Sequence, residues 1–232
     1  MSDNKASNSL SGKNKAYSTA DKEAVYRVIA ERRDMRHFRS DAVDPEVIKQ
    51  MLIAAHHAPS VGLMQPWRFL RVSDNDLRQQ LHQLVDEERA HTAEAMGERK
   101  NEFMKLKVEG ILDCAEVIVA ALPDDREKYV FGRRTLPEMD LASLSCAIQN
   151  MWLVARAEGI GMGWVSMFDP QALAQLLKMP ANSKPVAILC IGHVDEFYDR
   201  PMLVEENWAQ ERPLEEFIYQ NYWPETAEEQ GN

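Results

Sequence analysis

The chain has 232 residues, of which 45% are hydrophobic and 28% are charged, the balance of an ordinary soluble globular protein. Its net charge of -10, from 37 acidic and 27 basic residues, argues against a general nucleic-acid or anionic-membrane surface. A chain of this length can bury a full core without a disulfide or a metal staple. Any phosphate site must therefore be local and built by a few arginines.

The N-terminal composition and the cysteines bear on the compartment. Residues 1–17 are rich in Ser, Asn and Lys and lack the apolar stretch of a secretory signal, so we predict a disordered tail. Cys114, Cys146 and Cys190 each lie among apolar neighbours, which predicts buried, reduced thiols. The longest apolar runs are too short to span a bilayer. We therefore expect a cytoplasmic protein that uses neither a membrane nor a nucleic acid as partner.

Capping residues mark the helix starts in the first half of the chain. Ser18 with an acidic first turn predicts a helix that ends near 32–34, and Asp44-Pro45 predicts a second helix, which residues 58–62 end. Residues 67–72 are predicted to form a strand. Residues 74–110 are highly charged with sparse apolar positions, and we expect them to form a solvated helical lid.

The sequence pattern in the second half of the chain predicts strands separated by helices. Strands are expected at 116–122, 161–167 and 185–192, with a short helix from Asp169-Pro170 to Leu177. The helix predicted over 137–159 is apolar around most of its circumference, which suits a central buried helix or a dimer seam. A polar C-terminal arm, residues 196–232, carries Trp208, Tyr219, Tyr222 and Trp223. The order indicates an α+β or α/β sheet covered by helices.

Arg32-Arg33-Asp34-Met35-Arg36 places three guanidinium groups at the end of the first helix. Such a cluster is commonly a solvated basic turn. It also suits a phosphate clamp, because arginine offers a planar fork of donors to phosphate oxygens. Asp34 either neutralises these arginines or is a carboxylate held near a ligand.

Two further segments offer ligand contacts. Ser60 and Gln65, in the loop 58–67, can hydrogen-bond the edge of a heterocycle, although Pro, Ser and Gly also make plain turns. The glycine-rich run 159–166 enters a strand, so it is not the dinucleotide fingerprint. Its glycines more plausibly permit close approach of a neighbouring backbone or a flat ligand. The scattered histidines predict no metal site.

Taken together and in this order, the three segments resemble FMN-dependent nitroreductase-like proteins. Segments 54–67, 137–141 and 163–168 are similar to the 5,6-dimethylbenzimidazole synthase family, and the resemblance runs from about residue 21 to 223. Asp34 inside the arginine cluster, paired with Ser166 after Gly-Trp-Val, is its specific part. The resemblance implies one α+β nitroreductase-like domain over 18–232, with a central, mostly antiparallel sheet flanked by helices, in an intertwined homodimer.

The resemblance also implies a reaction, the O₂-dependent fragmentation of reduced FMN, which is both cofactor and substrate. The products would be 5,6-dimethylbenzimidazole, the lower ligand of vitamin B12, and D-erythrose 4-phosphate, and a separate flavin reductase would supply the reduced FMN. Asp34 and Ser166 would be catalytic. The implied flavin-binding residues are Arg32, Arg33, Asp34, Met35, Arg36, Pro59, Ser60, Met64, Gln65, Leu106, Gly163, Trp164, Val165, Ser166 and Arg212.

Two other functions fit the same motifs. An NAD(P)H-dependent nitroreductase or quinone reductase would cycle electrons through a flavin that survives. A flavin-storage protein would bind FMN without turnover. Asp34 with Ser166, in a pocket that has no room for nicotinamide, favours the synthase.

Overall fold

The computed structural model of the chain describes residues 16–224, which leaves almost all of the predicted N-terminal tail outside the described residues. Along this range, each strand is separated from the next by one or two α-helices. The α-helices are α1 (Thr19–Glu31), α2 (Pro45–His56), α3 (Asn75–Ala95), α4 (Lys100–Phe103), α5 (Met139–Ala157), α6 (Pro170–Leu176) and α7 (Met202–Glu205). The strands are β1 (Arg68–Val72), β2 (Glu116–Leu122), β3 (Gly161–Val165) and β4 (Lys184–Gly192).

The helix starts follow the capping residues that the sequence shows. The Ser18 hydroxyl accepts a hydrogen bond from the Asp21 N–H at 3.2 Å, and the Asp44 carboxylate accepts one from Glu46 at 2.8 Å. Asp169 caps α6 in the same way through Ala172. Each cap satisfies a main-chain donor that the first turn of a helix leaves without a partner.

The four strands form one sheet in the order β1-β2-β4-β3, and every pairing between neighbours is antiparallel. The predicted α+β class with a mostly antiparallel sheet is confirmed. β3 ends at Val165, two residues before its predicted end, because its ladder with β4 stops at the Val165–Ile188 pair. Ser166 and Met167 therefore follow the sheet as loop residues.

Both faces of the sheet are buried, and successive residues of the central strands point to opposite faces. On β2, Ile118 and Ala120 face the layer formed by α2 and α5, whereas Val117 and Val119 face the layer formed by α3 and α6. β4 alternates in the same way. This explains why the sequence of both strands is a continuous apolar run.

α5 buries one face against the sheet and leaves the opposite face open. Its buried positions recur at helical spacing, and Cys146 lies on the exposed side. The prediction of a buried thiol is therefore wrong for Cys146 and right for Cys114 and Cys190. Among residues 16–224, none of the helices combines the length and hydrophobicity that a membrane crossing requires.

The predicted helical lid over 74–110 is only partly helical. α3 ends at Ala95, Gly97 adopts a left-handed φ of +56°, and α4 closes at Phe103. A left-handed residue cannot continue a right-handed helix, so the chain turns there. The remaining residues to Gly110 are irregular, and the prediction of helix over them is wrong.

The C-terminal arm divides into two parts. Residues 196–208 pack on their own domain, where Tyr198 contacts His37 and Trp208 contacts Phe103. All residues of 209–224 are exposed, including Tyr222 and Trp223. Trp208 therefore does not belong to a free arm, which corrects its grouping with the later aromatic residues.

Candidate functional site

The basic cluster is held against the edge strand β3. The N–H of Met35 donates to the Met162 carbonyl at 3.0 Å, beside an isolated bridge between Asp34 and Met162. A Cβ atom on Gly163 would lie 2.2 Å from the Met35 carbonyl oxygen, so only glycine permits this approach. The glycine-rich run thus accommodates a neighbouring backbone, and the Met35 side chain is fully buried in the core.

Asp34 and Arg36 form a bidentate ion pair. The two guanidinium nitrogens Nη1 and Nη2 donate to the two carboxylate oxygens at 2.6 and 2.5 Å, and Nη2 also donates to the Trp164 carbonyl at 2.9 Å. The Arg36 side chain is only 11% exposed. This geometry favours Arg36 as the fixed partner of Asp34 rather than as a phosphate ligand.

The Asp34 carboxylate is the more accessible member of the pair, with 42% of its side chain exposed. It accepts a further hydrogen bond from the Trp164 N–H at 2.9 Å. Burial of its carboxyl group raises the pKa of Asp34, against the opposing effects of Arg36 and the Trp164 N–H. A carboxyl with a raised pKa, fixed by two partners, is suited to proton transfer.

The other two arginines of the cluster point in different directions. The Arg32 guanidinium lies over the Trp152 ring, 4.7 Å from its centroid, and burial lowers its pKa. Arg33 donates to the carbonyls of Ala30 and Asp199, both at 2.7 Å. Among the described residues, the buried Nε of Arg33 has no hydrogen-bond partner. Arg33 therefore keeps one buried donor without a partner, whereas both terminal nitrogens of Arg36 are engaged.

A cavity of about 360 Å³ opens above Asp34. Its floor carries polar groups at Asp34, Arg36, Lys107 and Ser166, and Ser166 is exposed to it. Its walls are mainly apolar. They comprise Thr92, Met96, Phe103, Leu106, Val108, Trp164, Val165, Met167, Pro201, Met202, Leu203 and Trp208.

The loop that carries Pro59, Ser60, Met64 and Gln65 does not line this cavity. The Ser60 hydroxyl accepts a hydrogen bond from the Gln65 N–H at 3.0 Å, and Met64 is buried. The loop is fastened to the start of α5, where Ser143 accepts a bond from the Val61 N–H. The predicted flavin residues therefore form two groups within one chain.

The two groups lie toward opposite ends of α5. The basic cluster contacts Trp152, whose indole N–H donates to the Arg33 carbonyl at 3.1 Å. Ser143, which holds the loop, lies two and a half turns earlier, about 13 Å along the helix axis. A single chain thus supplies one cavity and, separately, the loop whose side chains were predicted to bind a heterocycle.

Arg212 lies in the exposed part of the arm and does not line the cavity. It pairs with Glu216 at 2.6 Å and lies over the Phe217 ring. A groove of about 670 Å³ lies between α6 and β4, and we assign no chemistry to it. Its one arginine, Arg126, is already engaged by Asp140. Within residues 16–224, His, Cys, Asp and Glu side chains do not group in threes as a metal site requires.

Sequence reasoning missed several residues of the cavity wall, notably Thr92, Met202 and Trp208. The sparse apolar positions Met96, Phe103 and Leu106 were a usable signal, since an otherwise charged segment has no other reason to carry them. No local pattern signals Trp208, because its place depends on the chain reversal after α7.

Comparison with known proteins identifies the family from the sequence and the fold from the structure. The nitroreductase family model matches residues 29–193. A 5,6-dimethylbenzimidazole synthase of Rhodospirillum rubrum is 39% identical over 188 residues, which are 78% of this chain and 87% of that protein. Another of that name, from Rhodobacter capsulatus, is 36% identical over 84% of this chain and 95% of that protein.

A solved structure extends the comparison to the fold. Iodotyrosine deiodinase bound to FMN and 3-iodo-L-tyrosine superposes with a TM-score of 0.67 and 18% identity, over 86% of this chain and all of that one. The predicted nitroreductase-like fold is therefore confirmed. The chain belongs to the nitroreductase family of oxidoreductases, and its relatives include proteins named 5,6-dimethylbenzimidazole synthase.

Proposed function

We propose that the chain is a 5,6-dimethylbenzimidazole synthase that fragments reduced FMN with O₂ to 5,6-dimethylbenzimidazole and D-erythrose 4-phosphate. The observation that carries the proposal is that Asp34 and Ser166 line one mainly apolar cavity. The names of the two bacterial relatives support the same reaction.

The residues present fit a flavin phosphate and its ring. The unpartnered Nε of Arg33 is buried and Arg33 does not line the cavity, so its side chain would have to turn outward to donate to a phosphate oxygen. Arg32 adds a second positive charge beside it. The exposed Pro59 and the side chain of Gln65 would contact the isoalloxazine ring and its polar edge. Reduced FMN supplies the electrons that reduce dioxygen and the ring carbons that appear in the product.

Asp34 and Ser166 would have different roles in the reaction. Asp34, with its raised pKa, would accept and return protons at its carboxylate oxygens, while Arg36 and the Trp164 N–H hold the carboxylate in place. Ser166 would orient a reacting oxygen by donating from its hydroxyl. The apolar walls would keep water out of the cavity. Excluding water prevents side reactions that would divert the oxygen chemistry from the product.

The complete site in this proposal lies between two subunits of a homodimer. Each site would combine the cavity of one subunit with the loop 59–65 of the other. Two copies related by a twofold axis would therefore form two equivalent sites. Exposed apolar side chains supply a candidate interface, with Tyr26 and Ile29 on α1 and Phe217, Tyr222 and Trp223 on the arm. Arg212 would then reach a phosphate only across the subunit boundary.

A separate flavin reductase would supply reduced FMN by transient contact. The decisive experiment loads the protein with FMN, reduces it without oxygen and then admits a pulse of air. Loss of flavin absorbance with a new benzimidazole, identified by mass spectrometry, is the expected result. Clean recovery of oxidised FMN would instead indicate a flavin carrier. Rapid NAD(P)H oxidation with a nitroaromatic acceptor would indicate a reductase.

A further inference from the structure

The roof of the cavity is a small hydrophobic cluster that is separate from the two main cores. Ala93, Phe103 and Leu106 are its buried members, and Val108, Met167 and Trp208 pack against them. Few apolar contacts hold this cluster closed compared with the layers on the sheet. Segments of that kind open at a lower free-energy cost than the core.

Trp208 is the part of the roof that comes from the C-terminal segment. Its ring centroid lies 6.1 Å from that of Phe103, and the main-chain N–H of Trp208 donates to the Leu203 carbonyl at 2.8 Å. Asn207, with a left-handed φ of +56°, turns the chain so that the indole ring faces back to the cavity. Without a contact from the opposite side, only the Phe103 cluster would keep the ring there.

Arg99 supplies that contact. Its guanidinium carbon lies 3.6 Å from the centroid of the Trp208 ring, and Nη2 donates to the Trp208 carbonyl at 3.2 Å. Its Nε donates to Glu102, which fixes the orientation of the planar group. Arg99 itself does not line the cavity. It can influence a bound ligand only through Trp208.

We propose that Arg99 and Trp208 form a latch that joins residues 97–108, the cover segment, to residues 201–208. Arg99 is a positioning residue in this proposal, and Trp208 is the part of the roof that it holds. The consequence for the site rests on the function proposed above, because the ligand retained under the roof is taken to be FMN. The closed latch lengthens the residence of the flavin and keeps water out.

The first test does not require flavin. Hydrogen–deuterium exchange is measured on the flavin-free protein for Arg99→Gln, Trp208→Ala and the control Lys100→Gln, which removes a neighbouring charge paired only with Glu94. A cation–π contact and a hydrogen bond together are worth about a tenfold change in an opening equilibrium. We expect about tenfold faster exchange in both the cover segment and 201–208 for the first two variants alone.

The second test uses FMN and separates a latch from a general structural role. Arg99→Gln should raise the FMN dissociation rate about tenfold with little change in association, and Arg99→Lys, which keeps the charge but not the planar fork, should restore part of the loss. Unchanged exchange, or faster exchange that extends into β2 and β4, would overturn the latch. If the exchange result holds but the wild-type protein does not bind FMN, the latch stands and the proposed function fails.

Discussion

Asp34 and Trp164 are joined by a hydrogen bond of 2.9 Å, from the main-chain N–H of Trp164 to the Asp34 carboxylate. Arg36 closes a ring around this bond, since it donates both to the carboxylate and to the Trp164 carbonyl. The carboxylate therefore has a fixed position relative to strand β3, which ends one residue before Ser166. The two proposed catalytic side chains are oriented by the same short piece of backbone.

Asp34→Asn tests the proton-transfer role. The amide keeps an oxygen for the Trp164 N–H and nearly the same volume, so we expect an intact fold and retained FMN binding. Product formation should fall about a hundredfold or more, because an amide cannot exchange protons as a carboxyl does. The measurement is the yield of 5,6-dimethylbenzimidazole after the air pulse.

The matched control is Asp41→Asn. Asp41 is an exposed carboxylate that pairs with Arg39 a few residues along the chain. The Asp41→Asn substitution should leave the yield of 5,6-dimethylbenzimidazole unchanged. A normal yield from Asp34→Asn would remove Asp34 from the mechanism.

The raised pKa of Asp34 also predicts a pH effect on stability. Because burial raises the pKa of this carboxyl in the folded chain above its ordinary value, the folded state binds the proton more tightly than the unfolded state. The contribution of Asp34 to the free energy of unfolding is thus largest at low pH. It is lost as the pH rises from the unfolded pKa through the raised value.

Urea unfolding of wild type and Asp34→Asn between pH 3.5 and about 8 measures this difference. The free energy of unfolding of wild type minus that of Asp34→Asn should decrease as the pH rises and then become constant. A relative free energy that rises with pH would show that the ion pair with Arg36, and not burial, dominates the titration.

Local chemistry was enough to predict most of the framework. Ser18, Asp44 and Asp169 cap the helices as their positions predict, because each cap bonds to main-chain groups within three residues. The continuous apolar character of β2 and β4 likewise follows from burial on both faces. Gly97 shows the opposite case, since a charged helical pattern continues past the residue at which the helix breaks.

The site could be predicted only in pieces, because its parts meet through contacts remote in sequence. Arg99 and Trp208 are 109 residues apart, and neither residue signals the other. The sequence also could not separate Arg33 from Arg36. Both lie in one basic cluster, and only the structure shows that Arg36 is already paired with Asp34.

Arg33 and Arg36 should therefore give different results on substitution. Arg33→Ala should weaken FMN about tenfold to a hundredfold, the equivalent of a lost charge-assisted bond of about 1.5–3 kcal/mol, and should leave riboflavin nearly unaffected. Arg39→Ala, an exposed arginine in the same segment, is the control. Fluorescence titration with both ligands makes the comparison, and equal weakening of the two would contradict the phosphate role.

Arg36→Ala should reduce the stability of the fold more than it reduces the affinity for FMN. It leaves Asp34 without its ion-pair partner, at a cost of about 2 kcal/mol, below the range for fully buried pairs because the Asp34 side chain is 42% exposed. Thermal unfolding should show a decrease in Tm of several degrees. An unchanged Tm combined with a selective loss of FMN affinity would restore Arg36 as a phosphate ligand.

The structure shows which part of the C-terminal arm is free to contact a second subunit in the predicted homodimer. Trp208 packs on its own domain, whereas every residue of 209–224 is exposed, including Leu214, Phe217 and Trp223. Burying large apolar side chains is favourable, so we expect these residues to cover a second subunit. Light scattering at micromolar concentration should give twice the chain mass of 26.5 kDa.

Truncation after Ala209 keeps Trp208 in place and removes residues 210–232, which include the exposed stretch 210–224. We expect the truncated chain to remain folded, to lose the dimer and to lose FMN, because the loop 59–65 then has no opposite cavity to complete. Phe217→Ser with Trp223→Ser in the full chain is the milder variant and should weaken the dimer without removing the backbone. A monomeric wild-type protein that binds FMN, or a truncated dimer that retains it, would show that the site is complete without the arm.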